Sequence, residues 1–376
     1  LLIDLCERFQ PDFRVSFSLS GTVLDQFEAF CPDVIELFQQ LVGTGCCELL
    51  AEPYDHSLAF LYSREEFVAQ VDRHTERLQT LFGVTPRVFC NTELIYNNDL
   101  AAFLHQMGRF QGALCEGVDR ILGYRSPNVA YRPPNVPTEQ AGAPLTLLLK
   151  NYRLSDDIAF RFSNQEWEDW PLTPAKFVDS IARIGESGST CNLFLDYETF
   201  GEHQNTETGI HEFLAMLPEA ALSEGSLTFR TPSQVIEEST VEEAYDVPHM
   251  ISWADTERDL SAWIGNAMQA NALHELYRLE RAIKDKLASG ETEEQQQHAR
   301  YILDDWRKLT ASDHVYYMCT KHFADGVVHQ YFNPYASPYD GYINFMNVLD
   351  NLRTRLTRMP QIMIKTKPPK SQAAQV

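Results

Sequence analysis

Positive charge is what this chain has least of. Lys and Arg number 31 against 53 Asp and Glu, a formal net charge of −22 over 376 residues. Nucleic-acid binding draws on clustered Lys and Arg facing phosphates, so that class of partner is excluded. Long apolar runs are also missing: none approaches the roughly 20 residues of a membrane span, so no membrane partner is expected. The eight Cys, at positions 6, 31, 46, 47, 90, 115, 191 and 319, form no CxxC pair. They read as reduced core thiols of a cytoplasmic protein, with neither a disulfide frame nor a zinc site. No signal peptide is visible, and the chain opens without Met on Leu1-Leu2-Ile3-Asp4-Leu5, which reads as the middle of a helix.

What is present is a large core. Hydrophobic residues make up 44% of the chain and aromatics 11%, enough for one large core or a core with a satellite domain. Helical patterns are expected at 1–10, 22–43, 64–82, 98–107, 173–185 and 208–223. The 64–82 helix carries a capping box, Ser63 with Glu66 three residues on. Apolar runs predict strands at Phe13–Leu19, Cys47–Ala51, Val88–Thr92, Gly112–Cys115, Leu145–Leu149, 191–196 and Leu227–Arg230. A loop rich in Pro and Asn spans 123–144. Alternation of strand and helix predicts an α/β fold with a parallel sheet, most simply a barrel with fewer than eight strands. Beyond Trp253 the pattern becomes helical, with a long helix at 259–289 and others near 292–309 and 339–358. The expected organisation is a catalytic α/β unit over 1–250, a helical bundle over 251–358 and a disordered tail over 359–376.

The most informative stretch is Leu193-Phe194-Leu195-Asp196-Tyr197-Glu198-Thr199-Phe200-Gly201-Glu202-His203. An apolar strand ending in acids and a histidine is how a parallel α/β enzyme presents catalytic groups at the carboxyl edge of its sheet. Crowded acids repel one another, which raises the pKa of at least one, as a general acid requires. Val88-Phe89-Cys90-Asn91-Thr92-Glu93 delivers a second carboxylate in the same way, Glu93 being either catalytic or a helix cap or buried ion pair. Two carboxylates on different strand ends point to acid/base or glycosyl-transfer chemistry. Glu52-Pro53-Tyr54-Asp55-His56 follows another strand, where a neutral His56 offers a hydrogen bond to a sugar hydroxyl. Trp253-Ala254-Asp255 offers an aromatic platform beside an acid. Asp156-Asp157 adjoins a strand-like run, with Asp157 and Arg161 as a structural ion pair. Ser312-Asp313-His314 and Lys321-His322-Phe323 are candidates for a cleft wall. No second His stands at ligand spacing from the Asp196 cluster, so no metal is expected there.

Four of these segments, Ala51–Leu58, Asn91–Tyr96, Leu195–His203 and Ile251–Asp255, resemble the ordered motifs of glycoside hydrolase family 57, specifically its α-amylase-like subgroup. The resemblance covers about 1–355 and implies an incomplete (β/α)7 TIM-like barrel followed by a C-terminal helical region. It implies a retaining enzyme on α-1,4-glucans, with Glu93 as nucleophile and Asp196 as general acid/base. Glu52, His56, Glu198, His203, Trp253, Asp255 and Asp313 are the implied substrate-binding residues, and no cofactor is needed. The substrate would be an α-glucan or maltooligosaccharide. A 4-α-glucanotransferase, a vestigial glucan-binding protein and a metal-dependent barrel deacetylase or mannosidase are the rivals. The family's first motif, a His-Gln-Pro segment, has no counterpart here, which implies a chain beginning after it, about fifty residues in.

Overall fold

The computed structural model describes residues 1–134, 136, 145–186, 188–241, 243–323 and 327–358. It is a mixed α/β fold in which helices alternate with short strands up to residue 150 and dominate thereafter. Among the described residues the strands are β1 (Val15–Phe17), β2 (Cys47–Leu49), β3 (Val88–Cys90), β4 (Gly112–Glu116), β5 (Ala130–Tyr131) and β6 (Thr146–Lys150).

β1 and β2 pair in parallel, and β3, β4 and β6 do the same. An isolated parallel bridge from Ala51 to Phe89 carries β2 onto β3, and another from Lys150 to Asn192 continues past β6. Six successive segments therefore run side by side in one direction. Their carboxyl ends bring Ser18, Glu52, Glu93, Glu116, Lys150 and Asp196 to one edge. All five residues of β6 are buried, as expected for a strand covered on both faces.

Several boundaries differ from the sequence reading, each for a local reason. The expected helix at 22–43 is two, Gly21–Phe30 and Pro32–Gly43, because Pro32 cannot donate within a continuous helix and instead starts a new one. The long helix at 259–289 is three pieces, Ser261–Ile264, Ala267–Tyr277 and Glu280–Ser289. Asn266 interrupts it as an N-cap, its side chain accepting from Met268 and Gln269 N–H. The capping box at Ser63 is half made. Ser63 Oγ accepts from Glu66 N–H at 3.1 Å, but the Glu66 carboxylate turns away to Arg307 at 2.6 Å. Asp156 and Asp157 lie on the helix Tyr152–Ala159, not beside a strand. Leu227–Arg230 is irregular.

The 191–196 segment pairs with the sheet only at Asn192. The cause is β5, an unexpected strand in the Pro-rich loop. It runs antiparallel along the same edge of β6, at Leu147 and Leu148, so the following chain reaches only Lys150. Residues 135 and 137–144 of that loop and the tail 359–376 lie outside the described residues.

One core packs Phe67, Phe89, Leu104, Leu147 and Leu149 between sheet and helices. A second gathers Trp263, Leu273, Trp306 and Leu349 of the later helices with Leu58 and Ile95 of the sheet-edge loops. The later helices thus close over the carboxyl edge of the strands. Ser57 bridges Ala311, and Ser312 N–H donates to His56 O at 2.9 Å.

Candidate active site

Five non-glycine residues among those described have a left-handed backbone: His56 (φ 50°), Glu93 (58°), Leu94 (51°), Asp255 (53°) and Arg258 (50°). All five lie on the three loops that meet at the carboxyl edge. Such conformations cost about 1–3 kcal/mol each and concentrate where function over-determines geometry.

Glu93 is held at both oxygens. The Trp253 indole N–H donates to Oε2 at 2.6 Å, and His56 Nε2 lies 3.2 Å from Oε1. Trp253 N–H also reaches the Glu93 carbonyl at 3.3 Å. The other His56 nitrogen, Nδ1, faces Glu52 Oε2 at 3.3 Å, and Ser18 Oγ donates to Glu52 Oε1 at 2.8 Å. Burial works against a charged imidazole here. The hydrogen bonds and charges of Glu52 and Glu93 outweigh it and hold His56 well above its ordinary value. An imidazolium donating to both carboxylates follows. The neutral His56 with a free N–H expected from sequence is not what the structure holds: both ring nitrogens are engaged. Glu52 is buried, and burial alone would raise its pKa; the hydrogen bond and charge of His56 lower it below the usual range.

Beneath Glu52 lies His74, fully buried. Glu52 N–H donates to its Nδ1 at 3.3 Å, and its Nε2 donates to Leu19 O at 2.7 Å. Those two partners fix a neutral ring with the proton on Nε2, and burial lowers its pKa accordingly.

Asp196 follows the segment that pairs at Asn192. Burial, then the charges of Glu93 and Glu198, push its carboxyl up to about 6, against the opposing pull of Lys150 and His56. Glu198 is exposed, and its carbonyl accepts from Glu202 and His203 N–H, both at 3.0 Å. The His203 ring meets Tyr331 and Phe332 edge-on, at centroid distances of 5.7 and 5.4 Å. Tyr331 and Phe332 are both exposed, as is Tyr197 beside Asp196.

The Asp255 carboxylate is held by two donors from the later helices. Burial would raise its pKa, but hydrogen bonds from His329 Nε2 (3.0 Å) and Lys321 Nζ (2.8 Å) bring it down to about 2. The carboxylate in turn lifts buried His329 to about 9, against the effect of its burial. Asp313 is exposed on the short helix Ser312–Tyr316 and makes no side-chain hydrogen bond or ion pair among the described residues, so the structure does not draw it into this cluster. The side chains of His322 and Phe323 lie outside the described residues. Asp157 pairs with Arg161, as their spacing predicts.

Sequence reasoning missed a second charged cluster. Lys150, the last residue of β6, lies 3.9 Å from Glu116, the last residue of β4, and 4.0 Å from Asp156. Arg258 approaches the same two carboxylates at 3.5 and 3.9 Å and donates to the Trp253 carbonyl. Lys150 Nζ stands 4.7 Å from the Trp253 ring centroid. The available signal was the one that flagged Glu93 and Asp196, an apolar run ending in a charge: Thr146-Leu147-Leu148-Leu149-Lys150 and Gly112-Ala113-Leu114-Cys115-Glu116. Arg258 and His74 carried no such signal.

The family model described as glycosyl hydrolase family 57 matches residues 3–248. The chain belongs to that family. A relative from Methanocaldococcus jannaschii, named "Putative alpha-amylase", is 38% identical over 352 residues, 93% of this chain and 72% of the relative. The family likeness extends to solved structures at low identity, where it speaks to the fold. A family 57 branching enzyme from Pyrococcus horikoshii superposes with a TM-score of 0.61 at 15% identity, covering 89% of this chain and 74% of that one. The 4-alpha-glucanotransferase of Thermococcus litoralis gives 0.58 at 16% identity, covering 84% of this chain. That protein is longer, and the chain spans 51% of it.

Proposed function

We propose that the protein is a retaining glycoside hydrolase acting on α-1,4-linked glucans, with Glu93 as nucleophile and Asp196 as general acid/base. The observation that carries this is the asymmetry of two neighbouring carboxyl groups. Glu93 is clamped at both oxygens by the His56 and Trp253 donors. Asp196 is held up to about 6 and keeps a proton on the acid side of neutrality. A fixed carboxylate beside a protonatable one is the division of labour that a two-step displacement needs. Glu93 attacks the anomeric carbon, the glycosidic C–O bond breaks, and Asp196 gives its proton to the departing oxygen. Asp196, now ionised, takes a proton from water as that oxygen attacks the anomeric carbon and frees Glu93.

The parallel succession from β1 to Asn192 supports reading the strands as staves of an incomplete (β/α)7 barrel. On that reading 1–250 is the catalytic domain and 251–358 a helical bundle that completes the cleft. The eight free cysteines favour a reducing, cytoplasmic location. One observation favours a second reading, 4-α-glucanotransfer: the exposed rings of Tyr197, Tyr331 and Phe332 beside the Asp196 loop offer faces on which an acceptor sugar could displace water.

The test is the product profile from a linear maltooligosaccharide, followed by proton NMR of the anomeric signals. Shorter products released first as the α-anomer, and absent with Glu93→Gln, are expected. Longer products appearing alongside them favour transfer. First release of the β-anomer, or products that persist in Glu93→Gln, would overturn the assignment.

A further inference from the structure

Lys150 is 6% exposed, yet its ammonium makes no hydrogen bond among the described residues. Its two carboxylate neighbours stand at 3.9 and 4.0 Å, beyond hydrogen-bond reach, and both also answer to Arg258. An ammonium carries three donors, and none of these meets an acceptor among the described residues although most of the side chain is covered. The structure compensates only in part, by placing Nζ 4.7 Å from the centre of the Trp253 ring, a cation–π contact. That same ring donates to Glu93 from its Nε1 edge. The unmet donors therefore lie one indole away from the nucleophile, with Asp196 close enough for its charge to act on the ammonium.

We propose that Lys150 is a substrate-binding residue whose ammonium donates to a hydroxyl oxygen of the sugar ring bound between Glu93 and Asp196. The inference rests on the glucan reading above and names a contact which that reading leaves unassigned. A neutral polyol fits better than an anion. Glu52, Glu93, Glu116, Asp156 and Asp196 surround the position, against Lys150, Arg258 and His56, and an added phosphate would meet a surplus of negative charge. A hydroxyl supplies an acceptor lone pair without that penalty, and the planar carbon face of the sugar can lie against the indole.

The test measures maltotriose binding by calorimetry in the Glu93→Gln protein, where turnover is blocked. The further change Lys150→Met with Glu116→Gln removes one charge of each sign, so the cluster stays balanced. Affinity is expected to fall at least tenfold while the thermal midpoint is kept. Lys150→Arg, which keeps the charge but moves the donors, covers the case in which the double change prevents folding; it too is expected to weaken binding. Unchanged affinity in a folded Lys150 variant overturns the proposal, as does inorganic phosphate competing with maltotriose in a Lys150-dependent way. A Glu93→Gln parent that binds no maltotriose at all fails at the earlier step, the glucan reading itself, and removes the basis of this one.

Discussion

Asp196→Asn should abolish turnover and, at neutral pH, make the protein more stable. The carboxyl titrates near 6 in the folded chain against 3.8 for an ordinary aspartate. A folded pKa raised above the unfolded one means that the fold disfavours the ionised form. The penalty is absent below pH 3.8, grows between 3.8 and 6, and is complete above 6. A rise of about two pKa units corresponds to about 3 kcal/mol, an upper bound because Asp196 is only partly screened from solvent. Asparagine has nearly the same shape and cannot ionise, so the substitution recovers a share of that penalty at pH 7 and much less of it near pH 4. The assay is urea unfolding of both proteins at pH 7 and near pH 4.5, with exposed Asp313→Asn as control. A gain at pH 7 that shrinks at the lower pH is expected. A pH-independent difference, or a loss of stability at pH 7, would refute the account of Asp196 as a strained, protonatable acid. The same reasoning places the falling limb of kcat/KM near pH 6 in the native enzyme.

Three other outcomes follow from the geometry. Trp253→Phe keeps a ring beside Lys150 and removes the donor to Glu93; a hydrogen bond to a charged group is worth about 1.5–3 kcal/mol, so kcat should fall roughly 10- to 100-fold with little change in KM, and steady-state kinetics showing an unaltered kcat would contradict the clamp. His74→Leu leaves Glu52 N–H and Leu19 O buried without partners and should cost about 2–4 kcal/mol in denaturant unfolding, whereas His74→Gln, with an acceptor and a donor, should recover part of it. Arg307→Met removes the guanidinium from Glu66, whose side chain is 0% exposed; a loss of about 3–5 kcal/mol is expected, measured the same way, and a loss below 1 kcal/mol would mean that Lys284 at 3.4 Å and the Gln70 amide at 3.3 Å suffice for that carboxylate.

Much of the site could be read in the sequence because a parallel strand exposes its last residue at the carboxyl edge, and an apolar run ending in a charge is visible in one dimension. Glu93 and Asp196 satisfy that rule, and so do Lys150 and Glu116. His56 was visible as a residue but not as an imidazolium, since its charge state is set by Glu52 and Glu93, which come from two different loops. Arg258 and His74 could not be seen at all: each matters through partners more than a hundred or about twenty residues away, Glu116 and Glu52. The same applies to β5, which pairs because an edge of β6 is open to it and not because Ala130-Tyr131 has a strand pattern.

The left-handed turn that carries Trp253 is gripped from two sides. Arg258 ties it to Glu116 and Asp156, and Asp255 ties it to Lys321 and His329 of the later helices. Lys321 and His329 lie downstream of the segment matched by the family model. The helical region is thereby a tensioning arm for Glu93, the proposed nucleophile. Exchanging that region between two relatives would transplant a catalytic setting along with it, and a chimera joined between 259 and 320 would inherit the indole from one parent and the hands that steady it from the other.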